Sequence, residues 1–272
     1  IIAELRIRHQ SEISVEDIAW TRGVAVRETL IEGAEARLVR IGSTAIASIN
    51  SAIPEPGRKR FAIAHELGHF ELHSGGGEIA ICEGRDIAAW RREAAAGETE
   101  ANEFAAELLM PEFLFEPMCH AFEPSIDLVA TLSGEFRTTL TAAAVRYTEF
   151  SPHRCAVVLS ERGRIAWYKA SRDFGYHIAV GGEIHPDSYG ADILAGREVP
   201  RRMDLSPARA WVDGRQLKPA ALIKEESILF RRYGAVLSLI HIHEDIEDAG
   251  SDDEDGIDGI DNWERGMKWG RR

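Results

Sequence analysis

The stretch RFAIAHELGHFELH, residues 60–73, decides the fold of the N-terminal half of this 272-residue chain. Apolar and small residues are distributed around the whole run, which predicts a helix that is buried on most of its sides. Residues four apart on an α-helix lie on one face, about one turn from each other. The imidazoles of His65 and His69 can therefore converge on one metal ion, and the stretch predicts a metal-binding helix inside a core.

The residue types around the two histidines favour zinc and hydrolytic chemistry. Zn²⁺ accepts imidazole nitrogen, prefers four ligands and, in a catalytic site, leaves one position for water. Glu66 directly follows the first histidine, where it can take the proton of such a water and pass it to a leaving amine. The bare HExxH pattern is only suggestive, since a pair of buried structural histidines is the alternative. A third ligand downstream would strengthen the zinc hypothesis.

The third ligand is predicted to come from ETEANEFAAELLM, residues 98–110, which has the pattern of a second helix. A ligand must flank the apolar side of that helix in order to point at the first one. Glu98 is favoured because it lies in line with Ala101 and Ala105 on that side. Glu100 is the rival, two residues further along and at a different angle around the helix. The remaining glutamates of the run are expected to face water.

His73 continues the four-residue spacing of the histidines, which makes it another candidate ligand. A straight helix carries it about 6 Å further along the axis. That distance is too long for an ion held between His65 and His69. His73 is therefore predicted to pack beside the site or to orient one of the ligands.

Together the two motifs resemble the ImmA/IrrE family of zinc-dependent metallopeptidases, whose hallmark is HELGH followed by E-x-x-A-N/D-x-F-A-x-x-LLMP. The similarity extends over residues 1 to about 150. It implies a zincin-like domain with one Zn²⁺ per chain. The ligands would be His65, His69 and Glu98, and Glu66 would be the catalytic base. Asn102 would orient one of the histidines through a hydrogen bond.

The resemblance also implies a substrate and a domain order. Members of the family typically cleave a helix-turn-helix repressor, or an antitoxin of that type, and so release genes for stress response or mobile-element transfer. In such a protein the peptidase domain is followed by a helix-turn-helix-like segment and a GAF-like sensor domain. No specific sensor motif is present in the corresponding part of this chain.

The pattern along the chain predicts an α+β protein in four parts: a zinc metallopeptidase-like domain (residues 1–120), a helix-turn-helix-like segment (121–150), a small α/β domain (151–243), and a disordered acidic tail (244–272). The resemblance implies that the small α/β domain is GAF-like or another sensor. In the first part, Ser14 has the position of a helix N-cap, and EARLVRIG and TAIASIN read as a hairpin. In the second, two short helices are expected around Ser133-Gly134. In the third, CAVVLS, RIAWYKA and AVLSLIHIH read as strands.

The formal charge of −13 comes mainly from the tail. The run from Glu244 to Glu264 holds eleven acidic residues and no Lys or Arg, which leaves −2 for the rest of the chain. Affinity for nucleic acid depends largely on Lys and Arg that neutralise phosphates. Few basic residues beyond Arg137 and Arg146 are expected at exposed positions of the helix pair. Strong direct binding to nucleic acid is therefore not expected.

Three cysteines, Cys82, Cys119 and Cys155, form no CxxC motif, which predicts reduced, buried thiols rather than a disulfide framework. No apolar run approaches the roughly 18 residues that a membrane-spanning helix needs, and the opening residues do not have the pattern of a signal peptide. The sequence therefore predicts a soluble, cytoplasmic protein.

Three functions can be compared at this point. The favoured one is an endopeptidase that cleaves a helix-turn-helix repressor or antitoxin. A catalytically weak, peptidase-like scaffold that sequesters a partner protein is the alternative, but such a scaffold is free to lose its base and Glu66 is intact. A DNA-binding regulator that acts through the helix pair is disfavoured by the charge of the chain outside the tail.

Overall fold

The computed structural model describes residues 1–73, 79–82, 96–213 and 217–247. The helices are α1 (Val15–Thr21), α2 (Pro56–Leu72), α3 (Ala96–Leu109), α4 (Glu112–Cys119), α5 (Ile126–Phe136), α6 (Leu140–Phe150) and α7 (Tyr189–Leu194). The strands are β1 (Val24–Thr29), β2 (Ala36–Ile41), β3 (Thr44–Asn50), β4 (Ile79–Cys82), β5 (Cys155–Glu161), β6 (Arg164–Ala170), β7 (Asp204–Pro207), β8 (Leu222–Phe230) and β9 (Ala235–His241). The mixed α+β class predicted from the sequence is confirmed.

The first sheet has the strand order β1-β3-β2-β4. Strands β2 and β3 form the predicted antiparallel hairpin, and Gly42 in its turn has a φ of 60°, a conformation that glycine adopts at little cost. Strand β1 lies parallel to β3. Residues 79–82 lie in the connection between α2 and α3, where the sequence analysis names no strand, and this short apolar run pairs antiparallel with β2. The rest of that connection, residues 83–95, lies outside the described residues.

Helix α2 packs against the first sheet and also contacts α1 and α3. It begins at Pro56, before the stretch quoted in the sequence analysis, because proline at the first helical position has the right φ and needs no N–H partner. Its residues from Arg60 to Gly68 are all buried, which explains why small and apolar residues surround this part of the helix. The predicted cap of α1 is confirmed, since Ser14 Oγ accepts the N–H of Asp17 at 3.4 Å.

Helices α5 and α6 form the pair that the sequence predicts, but the break is not at Ser133-Gly134. Helix α5 continues through Gly134, and the chain turns at residues 137–139 instead. Arg137 adopts a left-handed conformation with a φ of 53°, and Thr139 Oγ1 accepts the N–H of Ala142 at 3.1 Å to cap α6. A single exposed glycine weakens a helix by only about 1 kcal/mol, so it does not end this one.

The two arginines of the helix pair bond to the protein itself. Arg146 is only 9% exposed, and its guanidinium donates to the carbonyl of Met110 just beyond α3, at 3.1 and 3.2 Å. Its predicted exposed position is therefore wrong. Arg137 is exposed, but its Nη2 donates to the carbonyl of Ile13 at 2.6 Å. Both side chains therefore link the helix pair, α5 and α6, by hydrogen bonds to residues that precede it in the chain.

The second sheet has the order β6-β5-β9-β8-β7, with every neighbouring pair antiparallel. Its three predicted strands are confirmed. Strands β5 and β9 are buried along almost their whole length because the sheet is covered on both faces. One face, including Val157 and Leu237, joins the core that contains the helices and the first sheet. The other face, including Val158 and Ile240, forms a second core.

Packing continues past the end of β9. Ile246 is 1% exposed, and its carbonyl accepts the N–H of Lys218 at 2.9 Å, while Glu247 forms a β-bridge with Leu217. The expectation that a disordered tail begins at residue 244 is therefore wrong for residues 244–247, which one apolar side chain ties to the second core. The remainder of the predicted tail, residues 248–272, lies outside the described residues.

Removing residues 244–272 is expected to destabilise the protein more than removing residues 248–272. The longer truncation deletes Ile246 from its buried place, and full burial of such a side chain stabilises a fold by about 1.5–3 kcal/mol. Urea unfolding of the two truncated chains, measured side by side, isolates residues 244–247. Equal free energies of unfolding would show that these residues contribute nothing to the fold.

Two of the three cysteines have the free, buried thiols that the sequence predicts. Cys119 and Cys155 are free and buried, and burial raises the pKa of Cys119 to about 12 and that of Cys155 to about 11. These thiols therefore stay protonated at neutral pH. The side chain of Cys82 lies outside the description. Within the part of the chain that is described, no helix is long and apolar enough to cross a bilayer.

Candidate metal centre

Close packing of α2 against α3 forms the candidate site. A Cβ placed on Gly68 would lie 3.1 Å from Ala101 Cα and 3.2 Å from its carbonyl oxygen. Such distances leave room only for glycine without a shift of the backbone. The absence of a side chain at this position lets the start of α3 lie over the histidine face of α2. The sequence analysis missed this role, although the glycine stands within the HELGH motif itself.

The structure brings the three sequence-predicted ligands together. His65 Nε2 lies 3.0 Å from His69 Nε2. The two carboxylate oxygens of Glu98 lie 3.2 Å from His65 Nε2 and 3.3 Å from His69 Nε2. The side chain of His65 is fully buried, while those of His69 and Glu98 are 10% and 23% exposed. The group is therefore enclosed on the His65 side and accessible on the other.

His65 is oriented by Asn102, the residue that the family resemblance singles out. His65 Nδ1 donates to Asn102 Oδ1 at 2.9 Å, because an amide oxygen only accepts hydrogen bonds. In the neutral imidazole the proton is then on Nδ1, which leaves a lone pair on Nε2. That lone pair faces the other two ligand atoms.

His69 is oriented by a chain of two further groups. His73 Nε2 donates to the Glu100 carboxylate at 2.9 Å. The lone pair of neutral His73 is then on Nδ1, which lies 3.4 Å from His69 Nδ1. His69 therefore donates from Nδ1 and keeps its own lone pair on Nε2. His73 thus stands beside the ligands, as predicted from its distance along the helix, and Glu100 bonds to His73 instead of joining the ligand group.

The donor set fits a zinc ion. Two nitrogen lone pairs and a carboxylate that face each other at 3.0–3.3 Å repel one another unless a cation lies between them. Ligands bound at about 2.0 Å around a tetrahedral ion are separated by about 3.3 Å. Interaction with His65, and next with His69, holds the pKa of the Glu98 carboxyl well below its usual range. Glu98 therefore supplies the negative charge that such an ion needs.

Glu66, the predicted base, follows His65 on α2 and is fully buried. Its carboxylate is not part of the converging group of His65, His69 and Glu98. This separation suits a residue that handles protons beside the metal and does not bind it. No described contact tests its role directly, so that role stays a prediction.

Replacing Gly68 with valine is expected to weaken metal binding and to destabilise the fold. The new side chain would push α3 away from α2 and carry Glu98 off the two histidines. Overpacking of a core typically costs about 1–3 kcal/mol. Zinc titration and thermal unfolding would measure the two effects.

The matched control for this prediction is Gly134→Ala in α5. No atom lies within 4 Å of a Cβ added there, and alanine is the better helix former by about 1 kcal/mol. The control should keep its metal affinity and be as stable as the natural chain or more so. Unchanged zinc affinity in Gly68→Val would contradict the packing argument.

Comparison with known proteins shows that the part of the chain holding this site is similar to metallopeptidases. The family model described as the IrrE N-terminal-like domain, a peptidase family, matches residues 21–148, which contain both site helices. The radiation response metalloprotease IrrE of Deinococcus radiodurans is 34% identical over 104 residues, which cover 38% of this chain and 31% of that protein. Residues 21–148 therefore resemble the ImmA/IrrE family of metallopeptidases, as the two motifs indicated. The match spans about a third of the length of that relative.

A transcriptional regulator from Mycobacterium tuberculosis has a similar structure. The two chains superpose with a TM-score of 0.51 at 16% sequence identity, over 88% of this chain and 84% of the other. At this identity the likeness shows a shared fold and carries no information about activity.

Proposed function

We propose that this protein is a zinc-dependent endopeptidase with one catalytic Zn²⁺ per chain, held by His65, His69 and Glu98. The observation that carries the proposal is the convergence of two imidazole lone pairs and an anionic carboxylate, each fixed by the protein. The match of residues 21–148 to a peptidase family model supports a peptidase and its metal. Water and a peptide would reach such an ion from the accessible side, at His69 and Glu98.

The chain's own residues supply the proton handling and the orientation. Bound zinc would act as a Lewis acid that lowers the pKa of water to about 7. Glu66, one residue beyond His65, takes the proton of the attacking water and passes it to the amine of the broken peptide bond. Its burial keeps competing solvent away from that proton. Asn102 and His73 hold the two imidazoles in the required tautomers.

The proposed substrate is a helix-turn-helix repressor or an antitoxin of that type, in the cytoplasm. This specificity rests on the family resemblance. The printed name of the Deinococcus relative, a radiation response metalloprotease, agrees with a role in stress response and transcription regulation. The proposal includes no strong direct binding to nucleic acid, and the internal bonds of Arg137 and Arg146 support this.

The direct test is to co-express the full chain with the helix-turn-helix protein encoded beside it and to determine fragment masses. Two new fragments whose masses sum to that of the partner plus one water would establish hydrolysis at a single bond. The reaction should stop when zinc is chelated and resume when zinc is restored. An intact partner under zinc-replete conditions, with a stable complex of the two proteins, would instead support sequestration.

A further inference from the structure

A second group of ligand-type side chains lies away from α2 and α3. Glu123 is in the connection between α4 and α5, His153 is in the connection between α6 and β5, and His241 ends β9. One nitrogen or carboxylate oxygen from each lies within 4.8 Å of the others. The rings of His153 and His241 are 5.2 Å apart between centroids, and Glu123 Oε2 lies 3.8 Å from His241 Nδ1.

The backbone around the two histidines is held firmly. His241 pairs with Cys155 in the β5–β9 ladder, and the carbonyl of Arg154 accepts the N–H of Ile242 at 2.8 Å. The His153 connection and the end of β9 therefore keep a fixed separation. A group that is fixed in this way is prepared for a ligand before the ligand arrives.

His241 is the most deeply buried member of the group. It is 5% exposed, and its Nδ1 is buried without a hydrogen-bond partner among the described residues. An unpaired buried polar atom costs roughly 1–3 kcal/mol, so a structure that keeps one calls for an explanation. The neighbouring His243 also has a buried Nδ1 with no partner in the described part of the chain.

We propose that Glu123, His153 and His241 form a second binding site for a divalent transition-metal ion of the zinc class. Two imidazoles and one carboxylate are ligands that such ions accept. The bound ion would satisfy the orphaned nitrogen of His241 and join three segments that are distant in sequence. It would thereby fasten the helical connections to the end of the second sheet. The side chain of Glu123 is 69% exposed, so the ion can enter from solvent on that side.

The test uses the full chain, equilibrium dialysis against Zn²⁺, and elemental analysis. The natural chain should bind two equivalents. The double variant Glu123→Gln/His153→Gln should bind one, keep its peptidase activity and lose part of the rise in melting temperature that zinc gives the natural chain. Because both side chains are at least partly exposed, neither substitution removes core packing. His120→Gln is the matched control, since that imidazole bonds to the Phe150 carbonyl at 3.1 Å and should not affect binding.

The outcomes separate this site from the one on α2. His69→Ala should lose the other equivalent, and combining all three substitutions should abolish binding. A single equivalent that survives His69→Ala but not the double substitution would support the second site and contradict the first. Two equivalents in the double variant would overturn the second site. A natural chain that binds only the ion lost in His69→Ala would overturn it as well.

Discussion

Glu66→Gln is expected to lower the rate of partner cleavage by about 10²–10⁴ while leaving the zinc content unchanged. The amide is nearly isosteric with the carboxylate, and Glu66 is outside the group of converging ligand atoms. Coordination should therefore survive. An amide cannot accept the proton of the attacking water, and losing general-base help typically costs this much in rate. Single-turnover cleavage rates and elemental analysis on the same preparation would measure both quantities.

The matched control is Glu103→Gln, the same chemical change on the exposed side of α3, which should affect neither quantity. Cleavage at the natural rate by Glu66→Gln would show that another group is the base. Loss of cleavage with full biological activity in cells would favour the sequestering scaffold. The two functions that the sequence leaves open are thus separated by one substitution with two readouts.

The parts of the site that the sequence predicts are those with local geometry. His65 and His69 must share a face of any helix that contains both, whatever the rest of the fold does. The predicted hairpin of β2 and β3 is confirmed for a similar reason, because a tight turn and alternating residues determine it within a few positions. The assignment of Glu98 depends on more than local pattern, because helix periodicity favours Glu98 over Glu100 without excluding Glu100.

The parts that the sequence does not predict depend on contacts between distant segments. Strand β1 joins β3 in parallel, with β2 between them in the chain, and no local pattern encodes such a pairing. The buried position of Arg146 depends on the carbonyl of Met110, which is 36 residues away. The hydrogen bond between Glu100 and His73 joins residues that are 27 positions apart. The need for glycine at position 68 follows only from the close packing of α3 against α2.

The proposed second metal site is even harder to predict from the sequence, because its three residues are far apart along the chain. Glu123 and His153 are 30 residues apart, and His241 follows after a further 88. No spacing rule connects three such residues, and two of them lie in irregular segments. A lone histidine in a loop is more often structural than functional. Only the fold could indicate that these three side chains share one place.

Glu98→Ala is expected to abolish both tight zinc binding and cleavage. The substitution removes the only anion from a group in which two imidazoles would remain, and two imidazoles alone bind zinc weakly. Losing a ligand should exceed the roughly 10–100-fold loss of affinity that follows removal of a group that only orients a ligand. Zinc titration in competition with a chelator of known affinity would measure the change. Near-natural affinity in this variant would remove Glu98 from the site.

Glu100→Ala on the same helix is the comparison that makes this result specific. Glu100 reaches the site only through His73 and then His69, so its removal should weaken zinc binding by about 10-fold and leave the stoichiometry unchanged. His73→Gln should behave in the same way, because it breaks the same chain of hydrogen bonds one step closer to the metal. If Glu100→Ala lost zinc and activity while Glu98→Ala kept both, the ligand would be Glu100 and α3 would be rotated by about 200° from its place in this structure. Such a rotation would bury Glu103 and expose Ala101. Because Ala101 would then be exposed, Ala101→Ser would have the same free energy of unfolding as the natural chain.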